Sequence, residues 1–216
     1  MHDLTPIILS LKLSFITTLI LFFICLYPAF YLSRNDFFGK KVLLSVLSLP
    51  LVLPPTVLGF YLLVCFSPNN FLGKFLAQFD IKLVFNFKAL LIASVIYSLP
   101  FMFNPIYSAF SNLPDNLFHR AKLLQKTKAN LIFRLCIPLI KPSIISACVM
   151  SFAHTMGEFG VVMMIGGSVE GETKVASIAV FEALENLELS KANEISLILL
   201  ALSFAILFIL QFVKQK

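Results

Sequence analysis

Three places in this chain carry residue types and spacings that could do chemistry. The first is a single acid, Glu158, in the run HTMGEFG from His154 to Gly160, set inside an otherwise apolar segment. A carboxylate in such surroundings is costly and normally faces a bundle interior or a wet cavity. Gly157 and Gly160 on either side permit close approach or a break in a helix. Three roles stay open for Glu158: a gate or subunit-interface group hydrogen-bonded to its neighbours, a member of a proton relay, or a span-end residue touching water. Its charge has the wrong sign for holding an anion directly. His154 lies one turn earlier and can share its face, although a lone histidine is more often a packed polar residue than a ligand.

The second place is LPLVLPPTVLGFYLL, Leu49 to Leu63. Pro50, Pro54 and Pro55 remove three backbone donors in close succession, so a helix here must kink or partly unwind. Within a membrane, irregular backbone is tolerated where protein buries it or where it lines a watery path. Either this is a structural kink, or it lines a translocation pathway with Thr56 and Gly59 near the open side. The third place is the segment from Leu117 to Ile145, with Arg120, Lys122, Lys126, Lys128, Arg134 and Lys141, and only Asp115 as an acid nearby. Apolar residues at Leu117, Ala121 and Leu124, then at Leu131 and Leu135, suit short helices with one greasy face. The pairs Ile137-Pro138 and Lys141-Pro142 predict where one helix stops and the next begins. Such a loop suits docking of a soluble partner.

Other chemistry is missing. There is no GxxxxGK[ST] phosphate loop, no CxxC and no HExxH, so nucleotide binding by that loop is excluded and metabolic catalysis disfavoured. Cys25, Cys65, Cys136 and Cys148 lie in or beside apolar runs without ligand spacing, and are expected to be packing residues. No metal site is expected.

The elements that must position these groups are membrane helices. Of 216 residues, 59% are hydrophobic and 13% charged; phenylalanine occurs 24 times and tryptophan not at all. A soluble domain carries more charge. The apolar residues gather into runs long enough to cross a bilayer. Five spans are expected, at about 6–31, 42–66, 90–110, 138–165 and 195–213, within one domain covering 1–216. Lys12 in the first can snorkel to the near interface. Residues 176–187 form an amphipathic stretch that lies on the surface or re-enters between spans; if 166–191 crossed instead, the spans would number six and the C-terminus would change sides, against its own lysines. The acid-bearing start and the absence of a small-residue cleavage site argue against a removed leader.

Charge orients these spans. The 34–41 link, the 111–141 loop and the C-terminus hold 11 basic and 2 acidic residues; the opposite side holds 6 and 8. That imbalance predicts an N-terminus outside and a C-terminus inside, with the basic loop in the cytoplasm. Basic residues placed between spans do not argue for nucleic acid.

Taken together and in order, three motifs resemble the membrane subunits of bacterial molybdate ATP-binding-cassette importers, over nearly the whole chain. They are the run Leu49 to Pro55 followed by Val57-Leu58-Gly59-Phe60, the tetrad Gly157 to Gly160, and Gly171-Glu172-Thr173. The resemblance implies an all-α type I importer transmembrane domain in the bacterial inner membrane, working by alternating access as a homodimer. It implies two cytoplasmic ATPase subunits that hold ATP and Mg, and a periplasmic molybdate-binding protein that delivers the anion. This chain itself would bind no cofactor and catalyse no reaction. The pathway or gate would fall to Pro50, Pro54, Pro55, Thr56, Gly59, Gly157, Glu158 and Gly160.

The family's coupling motif reads EAA, then three residues, then Gly, and later a hydrophobic-Pro pair. The EAA positions fall on His119, Arg120 and Ala121, the Gly on Gln125, and the pair on Ile137-Pro138. Ala121, Ile137 and Pro138 match; His119, Arg120 and Gln125 depart. With Lys122 these residues would form the coupling helix that docks on the ATPase. Tungstate, sulfate or thiosulfate would suit the same machine. A proton-coupled secondary transporter using Glu158 is a different class, which five spans without an internal repeat disfavour. A purely structural membrane subunit is a third, disfavoured by the proline-rich span and the basic loop.

Overall fold

The computed structural model describes residues 4–79, 82–118 and 128–214. Every regular element in these residues is helical. The longest are α1 (Thr5–Arg34), α5 (Phe87–Ser111) and α10 (Leu189–Lys214). Between them come α2 (Lys40–Ser48), a 3₁₀ turn (Leu49–Leu51), α3 (Pro55–Phe66) and α4 (Phe71–Ala77). After α5, α6 spans residues 128–139 and includes a π-helical turn, Ile132–Cys136. It is followed by α7 (Lys141–Met156), α8 (Gly160–Gly166) and α9 (Ala176–Glu185). Three of these helices are long and apolar enough to cross a membrane. Two bent pairs, residues 40–66 and 132–156, raise the count to five if each pair is one span.

The centre is a three-helix pack of α1, α5 and α7. Small side chains let the backbones approach: Ala29, Ala89, Ala93 and Ala147 are fully buried, as are Ser14, Thr17, Ser94, Ser98 and Ser151. Small and hydroxyl residues are what helix contacts in lipid select, because packing and interhelical hydrogen bonds replace a hydrophobic drive there. At one end Leu21, Cys25, Phe103, Ile106, Phe110 and Cys136 form one apolar cluster. At the other, Leu13, Leu90, Val161, Val162, Ile165 and Ile178 join α1 and α5 to α8 and α9.

Hydrogen bonds fix which helix ends share a side. Arg34, the last residue of α1, donates to Asp115 Oδ1 at 2.9 Å and to the Leu113 carbonyl at 2.8 Å. It also donates to the Phe110 carbonyl, and its guanidinium carbon lies 3.9 Å from the centre of the Phe118 ring. At the opposite end the Phe85 N–H donates to the Ile165 carbonyl, and the Ala176 N–H donates to Ser10 Oγ at 2.8 Å. The 34–41 link and the start of the 111–141 loop therefore lie together, and the 67–86 link and the 166–175 turn lie opposite. These four segments fall on the sides that the charge pattern assigns to them. Lys12, exposed near the second end, sits 4.9 Å over the Phe87 ring.

Three expectations are corrected. The fourth span is not one helix from 138 to 165; α7 ends at Met156 and α8 restarts at Gly160. The Ile137-Pro138 pair does not stop a helix. Pro138 lacks an N–H and would crowd the carbonyl one turn back, but the π-helical turn widens the coil there, and the Ile137 N–H reaches the Ile132 carbonyl instead. The stop comes at Ile140, where the chain bends by 74° before Lys141-Pro142 opens α7. Cys65 is exposed rather than packed, unlike the buried Cys25 and Cys136.

The 166–175 turn is held by one side chain. Thr173 is fully buried; its hydroxyl donates to the Gly166 carbonyl at 2.8 Å and accepts from the Val169 N–H at 2.9 Å. Gly167 adopts φ 59° and ψ −146°, a conformation reserved for glycine. Valine at 173 keeps the shape but strands both backbone groups, so Thr173→Val should destabilise the chain by about 2 kcal/mol. Thr173→Ser should cost less than half as much. Thermal unfolding of the detergent-solubilised protein reads the difference.

Candidate functional site

The proline cluster and the glutamate motif, a hundred residues apart in sequence, meet at one cavity. The helix that begins at Lys40 gives way to the 3₁₀ turn at Pro50 and stops. Pro54, extended at φ −55° and ψ 135°, caps the start of α3, and Pro55 opens it. Across this break the chain turns by 107°. Proline suits the first turn of a helix because its missing N–H would have no partner there, which is why the run ends one helix and starts another. On the other side, α7 ends at Met156 and α8 starts at Gly160. A Cβ on Gly160 would stand 2.8 Å from the Pro55 Cβ, so only glycine lets these two helix starts touch.

Between them lies an open cavity of about 570 Å³, lined by Pro55, Thr56, Tyr97, His154, Glu158 and Gly160, with Ala153, Gly157 and Phe159 completing the wall. Among the described residues no lysine or arginine lines it. Glu158 is 5% exposed. Its Oε2 accepts from Ser94 Oγ at 2.9 Å, while its Oε1 is buried without a partner among the described residues. Its backbone carbonyl accepts from Ser177 Oγ at 2.6 Å, tying the α7–α8 break to α9. One turn back, His154 Nδ1 is 2.9 Å from Ser98 Oγ, which is also 2.8 Å from Thr155 Oγ1. The imidazole stacks on Phe101, ring centres 3.9 Å apart, with Tyr97 at 4.8 Å. His154 is thus fixed by α5 rather than free.

Of the residues singled out from the sequence, Pro55, Thr56, Gly157, Glu158 and Gly160 line this cavity. Pro54 adjoins them as the cap of α3. Two others do not line it. Pro50 is buried in the 3₁₀ turn, which packs on α5. Gly59 is buried where α3 crosses α8. Of the coupling residues, His119, Arg120, Ala121, Lys122 and Gln125 lie outside the described residues. Ile137 and Pro138 are in the last turn of α6, Ile137 packed on the α1–α5–α7 core and Pro138 exposed.

Sequence reasoning missed the α5 face that completes the site. Ser94, Tyr97, Ser98 and Phe101 recur at three- and four-residue spacing, and that stripe was the available signal. It also missed Arg34, which sits among three basic residues of the link with nothing in the sequence to mark it. Among the described residues no group of three or more histidine, cysteine or acidic side chains is placed to hold a metal.

Comparison with known proteins adds the following. Residues 26–216 match the family described as binding-protein-dependent transport system inner membrane component. The chain is 38% identical over 210 residues to the molybdenum transport system permease protein ModB of Azotobacter vinelandii, covering 97% of this chain and 93% of that protein. It is 29% identical to the putative molybdenum transport system permease protein YvgM of Bacillus subtilis, covering 98% and 92%. It is 31% identical to the sulfate transport system permease protein CysT of Salmonella typhimurium, covering 87% and 68%.

Proposed function

We propose, from the premise that this chain belongs to the family of binding-protein-dependent transport system inner membrane components, that it carries molybdate. It is the multi-pass inner-membrane permease subunit of an ATP-binding-cassette importer, with the all-helical transmembrane domain of the type I class. Molybdate is favoured over sulfate because full-length likeness is to molybdenum permeases, while the sulfate permease is matched over a smaller share. The observation that carries the pathway assignment is the cavity where the proline break meets Gly157 to Gly160. It joins two interrupted helices around a buried carboxyl, which is how irregular backbone is accommodated at membrane depth when it faces a path. Among the described residues no fixed cation lines it, so a passing dianion would not be trapped.

Two copies would enclose the path, with Pro54, Pro55, Thr56, Gly157, Glu158 and Gly160 on or beside its wall and Pro50 and Gly59 setting the shape of the kink. Selection of the anion would rest mainly with a periplasmic binding protein. The permease would hold no cofactor; hydrolysis of ATP with Mg would belong to a cytoplasmic ATPase pair. That pair would dock on the 111–141 loop through His119, Arg120, Ala121, Lys122 and Gln125, with Ile137 anchoring the loop to the bundle and Pro138 exposed beside it.

The test is ATP hydrolysis by the purified complex in lipid, with binding protein loaded with molybdate, tungstate or sulfate added in turn. Stimulation by the molybdate-loaded protein is expected; stimulation by sulfate alone would reassign the substrate. Arg120→Glu and Lys122→Glu should each lower ATPase co-purification at least tenfold at unchanged membrane abundance. Unchanged co-purification and transport in both would remove the docking assignment.

A further inference from the structure

α9 follows the 166–175 turn on the side opposite the 34–41 link, and it braces the cavity wall without lining the cavity. Its faces have separate tasks. Ala176 and Ala179 are buried with Ile7 of α1 and Ile195 of α10. Ser177 and Phe181, four residues apart, share another face. That face meets the break between α7 and α8. Ser177 Oγ donates to the Glu158 carbonyl at 2.6 Å, and the Phe181 ring centre lies 5.0 Å from that of Phe159. Glu158 and Phe159 both belong to the wall.

The break needs this support. Carbonyls at an interrupted helix lose their donors one turn on, and the Ser177 hydroxyl supplies one to Glu158. Gly157 gives no bracing: a Cβ there would meet nothing closer than 3.8 Å among the described residues, so the wall has room to shift. Farther along, α9 is tied to the surface. Lys174, in the 166–175 turn, pairs with Glu182 of α9 and lies 3.7 Å from Glu170 Oε1. Glu170, Gly171 and Glu172 are the exposed tip of that turn. The start of α9 is fixed too. The Ala176 N–H donates to Ser10 Oγ of α1 at 2.8 Å, one residue from the Ser177 contact. Glu182 stands about 9 Å from that pivot along the helix.

We infer that α9 is a lever through which a protein seated on the 170–172 tip moves the Gly157–Gly160 wall of the cavity, with Ser177 and Phe181 as the positioning residues. The inference rests on the permease reading, in which a loaded binding protein acts from this side. It adds the route by which that protein reaches the cavity. The route is a continuous set of contacts: the tip to Lys174, Lys174 to Glu182, and the Ser177–Phe181 face to Glu158 and Phe159. A push on the tip turns α9 about its bond to Ser10, and the short arm carries the Glu158 carbonyl with it. Ser177 and Phe181 stand behind the wall, so they govern when it moves and not which anion passes.

The experiment uses the full complex in proteoliposomes and reads ATP hydrolysis with and without molybdate-loaded binding protein. Ser177→Ala should lower the ratio of stimulated to basal hydrolysis by about fivefold, the low end of coupling between two sites. Basal hydrolysis and the affinity of the resting complex for binding protein should stay unchanged. Ser177→Thr keeps the hydroxyl and should restore the ratio. Phe181→Leu keeps apolar bulk without the ring contact and should lower it. Lys174→Gln acts on the same route, so combining it with Ser177→Ala should lower the ratio no further than the stronger single change. Effects that multiply, an unchanged ratio in Ser177→Ala, or an equal fall in basal hydrolysis would each overturn the inference. Should the Ser177 and Phe181 variants fail to assemble, the wild type decides. Amide exchange at 157–160 and 176–185 should change together when loaded binding protein is added; exchange at 157–160 that stays constant would overturn the inference. A wild type that no loaded binding protein stimulates would instead remove the permease reading.

Discussion

Arg34→Ala should abolish stimulation of ATP hydrolysis by loaded binding protein and lower the unfolding midpoint of the solubilised complex. The guanidinium does three things. It donates to the Phe110 and Leu113 carbonyls at the end of α5, pairs with Asp115, and lies on the Phe118 ring. These contributions differ in weight. Asp115 is 82% exposed, so that ion pair is worth at most about 1 kcal/mol. The carbonyl bonds come from a charged donor that is only 17% exposed, and each is worth roughly 1.5 to 3 kcal/mol. A net loss of about 3 kcal/mol follows for alanine, against less than 1 kcal/mol for Asp115→Asn. Lysine can reach one carbonyl but cannot grip two while stacking, so Arg34→Lys should recover part of the stability and little of the stimulation. Equal effects of Arg34→Ala and Asp115→Asn would show that the ion pair, not the carbonyl grip, matters. The functional consequence lies in the place gripped: the residues immediately before 119–127, where the proposed ATPase docking falls, are fastened to α1, so force arriving there would reach the three-helix centre.

The second large effect is expected at Gly59, and its sign separates two explanations. Helix propensity alone favours alanine over glycine in a helix by about 1 kcal/mol, so Gly59→Ala would stabilise α3 if nothing else touched it. The packing argues the reverse. A Cβ there would stand 2.8 Å from the Met164 Cβ and 3.1 Å from the Val161 Cα and carbonyl oxygen. Backbone atoms of α8 cannot step aside as a flexible side chain can, so α3 must move off α8. Overpacking of this kind costs about 1 to 3 kcal/mol. Gly59→Ala should therefore reduce thermal stability and cut molybdate uptake severalfold, and Gly59→Leu should cut it more than tenfold at normal membrane insertion. A more stable Gly59→Ala protein with full uptake would show that α3 does not need its close seat on α8.

The contrast between Gly59 and Ser94 shows what the sequence could and could not tell. Prolines 50, 54 and 55 announce a broken helix because proline's effect is local: it removes a donor wherever it stands. The break and its position were accordingly legible, as were the helical class and the apolar segments; Gly59 was singled out for the open side of the kink, not for the close seat on α8 that it takes. Glu158 was legible because an acid in an apolar run is rare. What it bonds was not. Ser94 and Ser98 are ordinary residues in a membrane helix, and their role arises only when α5 packs on α7 with one register. The α7–α8 break was half visible as two glycines around a polar patch. The passage through Ile137-Pro138 was misjudged because a proline rule for α-helices does not anticipate a π-helical turn upstream that absorbs the missing bond. Arg34 was indistinguishable from Lys40 and Lys41 by charge alone; its position as the last residue of α1, within reach of the end of α5, is a tertiary fact.

The 107° turn between the 3₁₀ segment and α3 also bears on the lipid around the protein. α3 has 12 residues and so is about 18 Å long, against a hydrocarbon layer of about 30 Å. α1, with 30 residues, exceeds that thickness, and α5 with 25 also reaches across it. Lipid chains beside α3 would thus meet a shorter apolar wall than those beside its neighbours, because a segment turned by 107° from α3 adds little depth to it. Thinning a bilayer locally costs fractions of a kcal/mol per ångström of mismatch. In thick membranes that stress would fall on the Pro54-Pro55 hinge and the cavity it borders rather than on the straight helices, making acyl-chain length a natural control on how open the cavity rests.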